Sequence, residues 1–359
     1  MGLEAVAERA GVSIATVSRV VNNSTAVNAK TRARVLKAIK ELRYHPNLHA
    51  RTLAGGKSNT IGVIVSNLEN PFFFDVYKAV EEDAHERGYE VLVANTDYNS
   101  EQLSTCIRLM MQRRVAGLAV IVSEMNPALI DELSAENIPI VFYDVGSPRR
   151  NITNIRVSYR HGIQRLVEYL RSLGHQKLGF VGHHSTLGPI HERLKAVKDI
   201  VSEYGASMEI RPAAGKDSLE GGRHAASALF ATGYRPTAVV CVNDIMAVGV
   251  LRALRQIGMR VPEDVSVTGF DNIKISEFCS PALTTLHIAR DEIGHIVCES
   301  LTRPDHHAQS TEREVILYPE LVVRDSTARA VQLTSANSDR APNAKKHFQS
   351  VESRGKRRP

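Results

Sequence analysis

Tryptophan is absent from the 359 residues, aromatics make up only 5%, and the four cysteines (Cys106, Cys241, Cys279, Cys298) are scattered without a Cys-x-x-Cys pair. That spacing supplies neither a disulfide framework nor a thiolate metal cage, so the thiols read as reduced and structural. No apolar run approaches the roughly 20 residues that cross a bilayer. Met1-Gly2-Leu3-Glu4-Ala5-Val6 lacks the basic stretch and apolar core of a secretory leader. These absences predict a cytoplasmic protein with no membrane partner. The signatures of nucleotide and hydrolytic chemistry are missing too: no Gly-x-Gly-x-x-Gly follows a strand, no Walker loop occurs, and no Ser/His/Asp set stands out. His183-His184 and His306-His307 have no carboxylate or cysteine at ligand spacing and read as loop residues. No metal, cofactor or catalytic residue is expected.

What is present is unevenly placed. Net charge is +6, yet residues 1–59 carry ten Lys/Arg against three Asp/Glu, residues 331–359 carry seven against two, and residues 60–330 are acidic. A basic segment joined to an acidic body suggests a polyanion bound at the N-terminal end; a merely solvated basic face has the same composition. Within that segment Leu3, Val6, Ala7 and Ala10 share one side of a short helix. Gly11 supplies a tight turn, and Ser13 can cap a second helix over Ile14–Val21 with Val17, Val20 and Val21 inward. Asn28 can cap a third, with Val35, Ile39 and Leu42 inward and Lys30, Arg32, Arg34, Lys37 and Lys40 wet. Three short helices with a glycine turn between the first two lay the second in a DNA major groove.

The run Val6-Ala7-Glu8-Arg9-Ala10-Gly11-Val12-Ser13, then Thr16-Val17-Ser18-Arg19-Val20-Val21-Asn22, then Thr31-Arg32 and Tyr44-His45-Pro46-Asn47, resembles the LacI/GalR family of repressors, and the resemblance extends to about residue 325. It implies that Ile14 and Ala15 meet base edges and that Arg19 reaches a base. It also implies that Ser13, Thr16, Ser18, Asn22, Asn28 and Thr31 contact phosphates, which set register without reading sequence. Ile14 lies three before Val17 and by period alone also suits a core position; Arg19 also suits a plain surface cation. Glu4 and Ala5 depart from the family pattern.

Pro46 through Gly56 then reads as a hinge. Between Pro46 and Gly55-Gly56 lie about two helical turns, too few to be stable alone in water. The resemblance implies that this segment, Asn47 and Ala50 included, becomes helical on specific DNA beside its copy from a second subunit, with Leu53 wedged into the minor groove. A flexible linker with Leu53 packed on the body is the alternative.

From residue 61 short β-rich runs (61–66, 91–95, 117–123, 138–144, 178–182, 238–243, 265–271) alternate with amphipathic helical stretches such as 71–87. That alternation predicts α/β layers with parallel sheets in two similar lobes, and ligands in such sheets bind beyond the carboxyl ends of the strands. Phe72 and Phe73, Ser123, Asp144, Asn243 and Asp271 lie at or just past those ends; apolar rings with Asn, Asp and Arg suit a ligand with hydroxyls or ring nitrogens. The resemblance implies the same pocket and adds Arg193 to it, although Phe72 and Phe73 suit the core as well. Asp244 is read as the cap of a helix starting at Ile245. Val145, Ala196 and Lys216 depart from the family pattern, and Lys216 with Arg193 raises an acidic effector as an option beside a surface lysine.

The expected architecture is therefore α/β: a small all-α lambda-repressor-like helix-turn-helix domain over 1–45, a hinge over 46–58, a two-lobed periplasmic-binding-protein-like domain with parallel sheets over 59–328, and a disordered basic tail over 329–359. The expected function is a homodimeric DNA-binding repressor on a near-palindromic operator, modulated by a carbohydrate or sugar-acid effector. A small-molecule binder with a vestigial head and a sugar-modifying enzyme are the rivals; the missing leader and the missing nucleophile–base set argue against them.

Overall fold

The structure is a computed structural model that describes residues 2–21, 25–44, 58–125, 127–145, 152–183, 188–302 and 313–331. Asn22, Asn47, Ala50 and Leu53, expected at the DNA, and nearly all of the tail lie outside the described residues. The chain divides into two compact units, Met1–Ser58 and Asn59–Pro359.

In the first unit, α1 (Leu3–Ala10) stops at Gly11, whose left-handed φ of 62° only a residue without Cβ adopts cheaply. Val12 N–H then donates to Ala7 O at 3.0 Å, closing the turn. In α2 (Ile14–Val21) the Ser13 hydroxyl accepts from Thr16 N–H at 3.2 Å. In α3 (Ala29–Glu41) Asn28 Oδ1 accepts from Thr31 N–H at 2.8 Å. Both caps satisfy amides that a helix start leaves without a partner. Val6, Ala7, Ala10, Val17, Val20, Val35, Ala38 and Tyr44 make one small core.

In the second unit, β1 (Thr60–Val65), β2 (Glu90–Asn95), β3 (Leu118–Ile121), β4 (Ile140–Tyr143), β5 (Ile152–Val157) and β11 (Arg313–Leu317) form one six-stranded sheet in the order β11-β5-β4-β3-β1-β2. Every pairing in it is parallel, from Thr60 opposite Glu90 to Leu317 opposite Val157. A second parallel sheet runs β7-β6-β8-β9, with β6 Lys177–His183, β7 Glu209–Gly215, β8 Ala238–Cys241 and β9 Ser266–Thr268. Its neighbour is a small antiparallel pair, β10 (Thr285–His287) with β12 (Glu320–Val322). Helices cover both sheets, so the inner strands are unbroken apolar runs such as Ile61–Val65.

The lobes are not consecutive halves of the sequence. The chain leaves the first sheet after β5 for helix Tyr159–Ser172, returns with helix Arg290–Thr302, adds β11 to the first sheet, and goes back with β12. Helix Arg290–Thr302 packs on helix Pro71–Glu86 of the first lobe so closely that a Cβ at Gly294 would lie 2.6 Å from the Ala79 Cβ. Three connections thus join the lobes, and the carboxyl ends of β1, β2, β3 and β4 face those of β6, β7 and β8 across a cleft.

Candidate functional site

The outer face of α2 is the first candidate surface. At 3.6 residues per turn, Ile14, Ser18, Ala15 and Arg19 follow one another around an arc opposite buried Val17 and Val20. Ile14 is 46% exposed, and Ala15 and Arg19 are exposed as well. The core option for Ile14 is therefore overturned: Leu3, Val12 and Val21 complete the small core without it. Ser13 and Thr16 join hydroxyls at 2.9 Å at the helix start. Asn28 spends its carbonyl oxygen on the Thr31 cap.

The interlobe cleft is the second. Its first-lobe wall is Asn70, Phe72, Phe73, Tyr98, Val122, Ser123 and Tyr143; its second-lobe wall is Pro189, Ile190, Arg193, Asp217, Asn243 and Asp271. Asn70 Oδ1 caps helix Pro71–Glu86 through Phe72 N–H at 3.1 Å, which turns Phe72 and Phe73 into the wall. Both rings are buried and edge-packed with centroids 5.4 Å apart, and Phe72 also meets Tyr143 at 5.9 Å. They are core and cleft wall at once. Ser123 N–H donates to Ser66 Oγ at 2.9 Å, beside buried Glu124. At Gly188 (φ 55°) a Cβ would lie 2.8 Å from the Ser123 carbonyl oxygen, so the second lobe's helix Gly188–Glu203 reaches the first lobe only because that residue has no side chain.

Arg193 projects from that helix into a buried slot. Its Nη1 donates to Val242 O at 2.7 Å, its Nη2 lies 3.4 Å from Asp271 Oδ1, and its guanidinium stacks 4.0 Å from the Phe270 ring and 5.0 Å from the Tyr159 ring. Burial opposes its charge, but Tyr159 and Asp271 outweigh that and hold it protonated. Burial pushes the Asp271 carboxyl up to about 8, against the pull of Arg193. Among the described residues, Arg193 Nε and Asp271 Oδ1 are buried without a hydrogen-bond partner. A donor and an acceptor thus stand side by side at the floor of the cleft.

Asp144 follows β4 with φ 57° and accepts from Val157 N–H at 3.1 Å. Burial raises its pKa while the Tyr159 hydroxyl and Val157 N–H oppose the rise. Of the seven residues expected at the effector site, six line the cleft; Asp144 does not, and its carboxylate is spent on the backbone of β5 instead.

Besides Asn70, six wall residues lie outside the expected set: Tyr98, Val122, Tyr143, Pro189, Ile190 and Asp217, of which Tyr98 and Asp217 bond across the cleft. The Tyr98 hydroxyl donates to Asp217 across the cleft, and Asn243 Nδ2 donates to the other Asp217 oxygen at 2.6 Å. Burial first, then Asp217, raises the Tyr98 pKa, so its hydroxyl stays a donor. The strand-end rule points to Tyr98, three residues past β2. Asp217 escaped because β7, Glu-Ile-Arg-Pro-Ala-Ala-Gly, is half exposed and interrupted by Pro212. Lys216 is exposed and absent from the cleft wall, which removes the lysine behind the acidic-effector option.

The reading of Asp244 is also corrected. Asn243, not Asp244, caps helix Asp244–Gln256, accepting from Met246 N–H at 2.9 Å. Asp244 is fully buried and binds Ile273 N–H (2.9 Å), the Ser276 hydroxyl (2.6 Å) and the Thr285 hydroxyl (2.6 Å). It fixes the backbone that follows Asp271.

Residues 2–47 match the family profile described as bacterial regulatory proteins, lacI family, and residues 167–327 match a periplasmic binding protein-like domain. The chain is 34% identical over 323 residues to the HTH-type transcriptional repressor PurR of Photobacterium profundum, covering 89% of this chain and 97% of that one. Among solved structures, the lac repressor dimer bound to operator and the anti-inducer ONPF superposes with a TM-score of 0.82 at 31% identity, covering 91% of this chain and 99% of that one. A transcriptional regulator CelR–cellobiose complex superposes at 0.63 and 26% identity, with 91% and 99% covered. On a two-part match that spans the head and the cleft-bearing body, the chain belongs to the lacI family of bacterial transcription regulators and is a DNA-binding protein.

Proposed function

We propose that the chain is a homodimeric cytoplasmic repressor that binds a near-palindromic operator and changes its grip when a neutral carbohydrate occupies the interlobe cleft. The observation that carries the effector half is Arg193 Nε beside Asp271 Oδ1, neither with a hydrogen-bond partner although Arg193 Nη2 lies 3.4 Å from that oxygen, in a cleft that Phe72 and Tyr143 also line. A hydroxyl accepts from the first and donates to the second, and an apolar sugar face lies on the rings. Charge argues against the sugar acid. Among the described residues, Asp217 and Asp271 line the cleft against Arg193 as its one cation, and that cation is engaged by Val242 O and Asp271. A carboxylate there would meet Asp217 and would have to share a guanidinium whose Nη1 is already bonded to Val242 O, with Nε as the donor left to it.

The DNA half rests on the exposed α2 face within a basic segment. Ile14, Ala15 and Arg19 read bases; Ser13, Thr16, Ser18, Asn22, Asn28 and Thr31 contact phosphates. The family resemblance supports Asn47, Ala50 and Leu53 as the hinge contacts, with Leu53 the minor-groove wedge. One recognition helix reads few base pairs, and a dyad doubles the information. Selection from a random duplex pool should enrich a dyad, and Arg19→Ala should abolish that enrichment; no enriched dyad would defeat the repressor reading. A thermal-shift panel of neutral sugars, sugar acids and purines should stabilise the full chain only with a neutral sugar, and a purine response would replace the carbohydrate. A ligand at 100 times its Kd adds about 2.7 kcal/mol.

A further inference from the structure

We infer that Ile14 and Ala15 make thymine, recognised through its C5-methyl group, the required base at two neighbouring positions of each operator half-site. The inference rests on the DNA-reading role of α2 proposed above.

The first turn of a recognition helix is the part that touches base edges. Here that turn presents Ile14, 46% exposed, and exposed Ala15, neither with a donor or acceptor in its side chain. Exposure is costly for isoleucine, and the small core is complete without it. Helices α2 and α3 of the same unit carry Arg19, Lys30, Arg32, Arg34, Lys37 and Lys40, so the partner this unit attracts is a polyanion. A major groove offers acceptors and amino donors at every base pair and only one apolar group, the thymine methyl. Ile14 and Ala15 can gain nothing from G, C or A edges beyond shape, and would leave their polar groups without a partner. Arg19, one turn further along the same arc, supplies the bidentate group that guanine requires. The motif thus predicts adjacent thymines with a guanine nearby in each half-site.

The test replaces each thymine of the selected operator with deoxyuridine, which deletes one methyl and leaves all hydrogen-bonding groups. With full-length protein, two positions per half-site should lose about three- to fivefold in affinity, the worth of one buried methyl, and all other thymines should be neutral. In Ile14→Ala the deoxyuridine penalty should vanish at one of those positions and persist at the other, with the guanine preference unchanged. A melting curve like the wild type's confirms that the variant head is folded, as expected for an exposed side chain. A dyad that tolerates deoxyuridine throughout overturns this inference and leaves the repressor reading intact. So does a methyl penalty that Ile14→Ala leaves untouched. Failure to enrich any dyad defeats the parent reading instead.

Discussion

Asp244 illustrates what a single buried carboxylate does in this chain. It lies directly after the Asn243 that bonds Asp217, and three donors converge on it from Ile273, Ser276 and Thr285. Burial lifts its carboxyl to about 6, with those donors opposing the rise. An unfolded aspartate titrates near 3.9. Between these values the folded chain holds a proton that the unfolded chain has lost. The stability linked to Asp244 is therefore complete below about pH 4 and declines as pH rises through 6. Asp244→Asn keeps the shape but turns a donor toward Ile273, Ser276 or Thr285. We predict that it destabilises the body at every pH. The gap from wild type should shrink by up to about 3 kcal/mol between pH 4 and 7, read by urea denaturation. A gap that stays constant would mean that Asp244 is ionised throughout. Asp271, pushed to about 8, has the same sign of dependence over a higher range.

Elements differ in how far local sequence determines them. In α3 the cap Asn28 accepts from Thr31 N–H, and losing such a cap costs about 1 kcal/mol. Asn28→Ala should therefore lower the melting temperature of the head and weaken operator and scrambled DNA alike, if the cap alone matters. A direct phosphate role adds a loss of affinity that persists well below the melting range, where the head is fully folded, so titration at several temperatures separates the two. The head was legible because its signals are local: the Gly11 turn, the Ser13 and Asn28 caps, and valines spaced three and four apart. The strand ends that carry Phe72, Ser123, Asn243 and Asp271 were legible for the same reason, as apolar runs followed by polar residues. Strand β11 was not. Arg-Glu-Val-Ile-Leu joins the first sheet beside β5, more than 150 residues earlier in the chain, and nothing in its own period reports that pairing. Two lobes read in sequence order gave the right layers but missed the three connections. Asp217 was missed because its strand is an edge, half exposed and broken by Pro212, where the burial that shapes strand patterns is weak.

At the scale of the molecule, the proposed function requires that the cleft has two arrangements and that DNA binding favours one. Cross-lobe ties already exist within the body. The Tyr98 hydroxyl donates to Asp217, and Arg290 pairs with Asp75 of the first lobe at 3.3 Å while its Nη2 donates to Asn272 O of the second at 3.0 Å. Tyr98 is the more telling of the two, because its partner Asp217 is held by Asn243, a wall residue that an effector would touch. Tyr98→Phe removes one hydroxyl and leaves the ring tilted against His183, with centroids 5.6 Å apart. That loss removes a hydrogen bond that ties the two cleft walls together, while Asn243 still holds Asp217. If closure links effector to operator, the effector's affinity should differ with and without operator by about 5- to 150-fold in the wild type. In Tyr98→Phe that ratio should move toward one, because a ligand shifts an equilibrium only by its preference for one state. Fluorescence anisotropy of labelled operator, titrated with the sugar found by thermal shift, reads both numbers. Asn28→Ala serves as the control, since it weakens the head without touching the cleft and should leave the ratio alone. A ratio equal in wild type and Tyr98→Phe would remove the cross-cleft bond from the coupling. A ratio of one in the wild type would separate the two halves of the molecule altogether.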